Sequence, residues 1–108
     1  MSKITLTYAK KEYVLEYNRQ SVKTMESQGF ILEDISTKPV TMIPMLFSGS
    51  FMKNHRGIKR NLIDEIYENI PGKTELMQAL IEMYVETVST LTEDAEGNEG
   101  NAVWTLEK

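Results

Sequence analysis

Ile4, Leu6 and Tyr8 alternate with Thr5 and Thr7, and Tyr13, Leu15 and Tyr17 alternate with Val14 and Glu16. Alternation places the apolar side chains of each stretch on one face of a strand. The short polar Ala9-Lys10-Lys11 between them predicts a β-hairpin over residues 3–17. Two strands are marginal alone in water, so helices must cover the apolar face.

Downstream the spacing turns helical. Asn18 is a candidate N-cap for a helix over about 19–28, with Val22 and Met25 inward and Gly29 as its stop. Phe30, Leu32 and Ile35 cross a less regular segment. Thr41 can cap a second helix over about 42–54, which places Pro44 in the first turn. A third helix over about 59–70 ends at Pro71-Gly72. Thr74 can cap a fourth over about 75–91, roughly 25 Å long. The expected fold is α+β and mainly helical: an N-terminal β-hairpin packed on three or four helices in one compact domain, residues 1–91. Residues 92–108 read as an acidic flexible tail, because 92–101 lacks bulky apolar groups. The tail ends in a short strand-like segment around Trp104.

A length of 108 residues suits one domain, and 41% apolar with 26% charged residues is an ordinary globular balance. There is no cysteine, which excludes disulfides and thiolate metal sites. With no long apolar run, neither a membrane span nor a secretory signal is expected. The net charge of −4 is unevenly placed. Residues 1–60 hold ten Lys/Arg against five Asp/Glu, whereas 61–108 hold two against eleven. Such asymmetry fits attraction between the two halves, head-to-tail self-association, or a basic patch for an acidic partner.

No constellation for catalysis, a cofactor or a metal emerges, so no enzyme activity is expected. His55 is the lone histidine and sits in Lys53-Asn54-His55-Arg56-Gly57 at a helix end, where a polar side chain suits the helix dipole. Asp64, Glu65 and Glu68 share the polar arc of the third helix, opposite Leu62, Ile63, Ile66, Tyr67 and Ile70, so they read as a solvated face. Arg60 and Asp64 are spaced as an i,i+4 pair. The basic run Lys53, His55, Arg56, Lys59 and Arg60 invites comparison with a DNA-binding patch, but Asp64, Glu65 and Glu68 follow on the same helix and repel phosphates.

Apolar surface is the stronger signal. The second helix is apolar nearly all round: Ile43, Leu46, Phe47 and Phe51 on one arc, and Met42, Met45, Gly49 and Met52 on the next. Such a helix is either central to the fold or offers its Met arc to a partner, since methionine adapts to varied apolar surfaces. The fourth helix carries a wide apolar arc that includes Met77, Leu80 and Tyr84, opposite Glu75, Glu82 and Glu86. Trp104 is either an anchor for a partner or a clip onto the hairpin. The candidate interface residues are therefore Met42, Met45, Met52, Met77, Tyr84 and Trp104.

Taken in order, the blocks ITLTYAKKEYVLEYNRQSVKTMESQGF, KPVTMIPMLFSGSFMKNHRGIKRNLIDEIYENI and LIEMYVETVSTL, with the acidic tail and Trp104, resemble a family of small proteins from the tail regions of Gram-positive phages and prophages. The layout is similar to phage tail assembly chaperones, over about residues 3–91. The resemblance implies a protein of the host cytoplasm that binds the tape measure protein and keeps it soluble during tail assembly. It supplies no catalytic residues and no cofactor. The alternatives are a structural tail or connector protein retained in the virion, and a DNA-binding regulator. A homo-oligomer is compatible with the charge asymmetry; nucleic acid and membrane are not expected partners.

Overall fold

Period-two alternation produces the expected hairpin. β1 (Ile4–Tyr8) and β2 (Lys11–Leu15) pair antiparallel, with Ile4 opposite Leu15 and Leu6 opposite Tyr13. This register gathers Leu6, Tyr13 and Leu15 on the buried face. The turn is the two-residue Ala9-Lys10, with φ of 51° and 65°. Positive φ at both positions matches the right-handed twist of the strands, although it costs a residue with a Cβ about 1–2 kcal/mol. The computed structural model describes residues 2–92 and Thr105. The expected tail over 92–108, apart from Thr92 and Thr105, lies outside the described residues.

α1 (Arg19–Ser27) starts at Asn18 as expected, through a capping box. The Ser21 N–H donates to Asn18 Oδ1 at 2.7 Å, and the Asn18 N–H donates to Ser21 Oγ at 2.9 Å. It ends at Gly29, whose φ of 98° lets Gly29 N–H reach Glu26 O and Phe30 N–H reach Met25 O, both at 3.0 Å. A 3-10 turn, Leu32–Ile35, leads to α2 (Pro39–Gly49), α3 (Arg60–Asn69) and α4 (Lys73–Ser89), followed by a 3-10 turn, Thr90–Thr92.

Three helix boundaries depart from the sequence reading. α2 begins at Pro39, not after a Thr41 cap, because proline suits the first helical position. Pro44 then falls inside the helix and cannot bond the Val40 carbonyl; Val40 is 88% exposed, so water can serve that group. α2 also stops at Gly49 instead of near Asn54, since residues 50–55 turn away to meet β2. The Glu16 N–H donates to Ser50 O at 2.9 Å, the Val14 N–H to His55 Nε2 at 2.9 Å, and Asn54 Nδ2 to Val14 O at 3.2 Å. This segment closes the outer edge of β2 much as a third strand would. α4 in turn begins at Lys73, with Gly72 rather than Thr74 at its cap in the left-handed region.

α2 touches α1, α3, α4 and the first 3-10 turn, and so stands at the centre of the helical layer. Leu46, Phe47 and Phe51 are essentially sealed, with Leu15, Met25, Ile66 and Leu80 packed into the same core. Among the described residues, no helix is long and apolar enough to cross a membrane.

Candidate protein-binding surface

α2 stands at the centre of the helical layer, and the methionines on it and just after it differ in exposure. Met42 is buried, and Met45 and Met52 are half-buried against the core. Packing closes off Met42, whereas Met52, just beyond the end of α2, lines a cleft beside α1. On α4, Met77 and Tyr84 are also buried. Trp104 lies outside the described residues.

Apolar surface left uncovered is found elsewhere. Among the described residues, the large exposed hydrophobic ones are Ile31, Val40, Val85, Val88 and Leu91. Ile31, Val85 and Val88 line one groove of about 430 Å³ between the end of α1 and the outer side of α4. Val85, Val88 and Leu91 recur at intervals of three, which puts them on one stripe. Phe30 and Tyr84 form the floor, with their rings 5.1 Å apart and nearly edge-to-face. Glu26 and Glu33 stand on the rim.

Of the five sequence candidates among the described residues, Tyr84 is the one that lines this groove. Burial, and then the Glu26 and Glu33 charges, raise its phenol above the ordinary value, so it stays a neutral donor. Among the described residues its hydroxyl donates to no protein group. Ile31 and Val85 were not singled out from the sequence. The signal available for Val85 is that Ile81, Val85 and Val88 extend the apolar arc of α4 beyond what one core face needs.

Polar candidates resolve into structural roles. His55 accepts the Val14 N–H at Nε2, which requires the tautomer protonated at Nδ1. Its ring lies edge-on to Tyr13, 5.2 Å between centroids. Glu65 accepts the Tyr8 hydroxyl at 2.6 Å, and this bond raises the Tyr8 phenol. Arg60 and Asp64 pair at 3.6 Å on an open surface, where such a pair contributes little. No cluster of three or more His, Cys, Asp or Glu with metal-holding geometry occurs among the described residues.

The chain thus carries an acidic-rimmed apolar groove and, on another side, a second cleft between α1 and the α2–α3 connection. No curated protein and no solved structure matches it. A family model described as a domain of unknown function, DUF5055, matches residues 1–108, and the chain belongs to that family.

Proposed function

We propose that this protein is a tail assembly chaperone-like factor that holds an amphipathic helix of the phage tape measure protein against the groove at Ile31, Val85 and Val88. The observation that carries the reading is this uncovered apolar stripe on a small domain whose other described large hydrophobic residues, Val40 apart, are packed. Patches of this kind on small domains mark interaction sites. A groove beside a helix suits a client helix with apolar anchors at i, i+3 and i+7. Glu26 and Glu33 favour basic residues flanking those anchors, and the free Tyr84 hydroxyl offers a polar contact on the floor. The tape measure protein enters through the resemblance to tail assembly chaperones; the family match carries no function with it.

Co-expression with the tape measure protein of the same genome is the test. The wild-type chain should keep the client soluble and co-purify with it. The double variant Val85→Glu/Val88→Glu should lose the client while its own melting curve barely moves, because both positions face solvent. Mass spectrometry of purified virions separates the main alternative: a chaperone is absent, whereas a structural or connector protein is present in fixed ratio to other tail proteins.

A further inference from the structure

The second cleft, about 680 Å³, differs in character from the apolar groove. Among the described residues, every charged side chain lining it is cationic: Lys53, Arg56 and Arg60. Its apolar floor includes Phe51, Met52 and Ile58, the last two only half-buried. Lys53 already holds Glu16 at 2.9 Å, and Arg60 is 3.6 Å from Asp64. Arg56 is exposed and pairs with no carboxylate among the described residues.

The complementary charge lies further along the same chain. Residues 2–92 hold eleven Lys/Arg and eleven Asp/Glu, so the whole net charge of −4 rests on 93–108. Glu93, Asp94, Glu96 and Glu99 follow one another with no Lys or Arg between them, and Trp104 comes five residues later. The described body ends beside the cleft. Arg19 Nη2 donates to the Thr90 carbonyl at 2.9 Å, and the next residue, Gln20, lines the cleft wall. Trp104 lies twelve positions beyond Thr92, enough to reach about 40 Å when extended. Tethering at this distance makes the chain's own segment a far more concentrated ligand than any free acidic peptide.

We propose that the cleft is a peptide-binding site for this chain's own acidic stretch, Glu93 to Glu99, which engages Arg56 and seats Trp104 on Met52 and Ile58. This does not depend on the client-binding reading, because the two grooves share no residue.

Trp104 is the sole tryptophan, so its fluorescence in the full-length chain reports the contact directly. Emission of the native chain should lie blue of the urea-unfolded chain and be independent of protein concentration. Arg56→Glu should move it back to the unfolded value with circular dichroism and melting temperature unchanged. Adding Glu93→Arg and Glu96→Arg to Arg56→Glu should restore the blue shift. A native emission equal to that of the unfolded chain overturns the proposal. So does a blue shift that fades on dilution, which assigns the segment to a second copy. A blue shift indifferent to both Arg56→Glu and high salt also overturns it, and places Trp104 elsewhere, as on the open edge of β1.

Discussion

Val14 directs its N–H to His55 and its C=O to Asn54, so these two side chains finish the hydrogen bonding of the β2 edge. His55→Ala leaves the Val14 donor without an acceptor, and a loss of about 1–3 kcal/mol is expected in urea unfolding. Gly49 is a second sensitive point. A Cβ there would meet the buried Met25 side chain, with Met25 Cε at 2.8 Å. Gly49→Ala should cost about 1–3 kcal/mol by overpacking, and Met25→Ala should cost less in that background than in the wild type, a coupling a double-mutant cycle measures. The hairpin turn errs in the opposite direction. Replacing Ala9-Lys10 by Asn-Gly relieves positive φ at both residues and should raise stability by about 1 kcal/mol in thermal unfolding. That a short turn lies here was legible in the residues between the strands. That both residues are left-handed was not, since neither is a type that signals it.

At the scale of elements, α2 takes the central place that its all-round apolar pattern allows, while α4 leaves part of its wide apolar arc uncovered. A helix apolar on every side is compatible with burial or with an offered arc, and helical spacing alone does not distinguish them. Met42→Ala should cost about 2–5 kcal/mol, the usual range for a large-to-small change in a core. Met45→Ala and Met52→Ala, at half-buried positions, should cost about 1 kcal/mol each. Equal, small losses at all three would return the arc to the surface. The caps at Asn18 and Gly29 were readable because they depend on neighbours within four residues. The end of α2 at Gly49 was not, because residues 50–55 leave the helix for partners on β2, more than thirty residues earlier in the chain.

For the whole molecule, pH reports on the contacts between layers. The Asn54 amide first, and then Lys53, hold the Glu16 carboxyl below its ordinary value. Its contribution is complete above the ordinary carboxylate range and is lost as pH falls through the depressed folded value. Asn54→Ala should lower the neutral plateau of melting temperature and flatten the acid limb. Tyr17 shows the opposite sign. It is buried, its hydroxyl donates to the Leu46 carbonyl at 2.6 Å, and burial pushes the phenol well above 10.0. Stability tied to it is complete below that value and is lost as pH rises towards the folded one, so Tyr17→Phe should flatten the alkaline limb. Charge also bears on nucleic acid. Lys53, Arg56, Lys59 and Arg60 should support only weak DNA association that disappears at physiological salt in a mobility-shift assay.

Alternation in residues 3–17 and the stops at Gly29 and Pro71-Gly72 were enough to call for a hairpin followed by helices, since period and capping are local properties of a chain. Local patterns also placed Val22, Met25, Ile63 and Ile66 on inward faces, because an amphipathic helix has one side to bury. Which of two apolar faces stays uncovered is another matter. It depends on which elements stack against each helix, and those contacts join residues far apart in sequence. Packing of α1, α3 and α4 around α2 closes over Met42. The same packing leaves Val85 and Val88 facing outward beside Ile31, and so builds a groove from residues more than fifty positions apart.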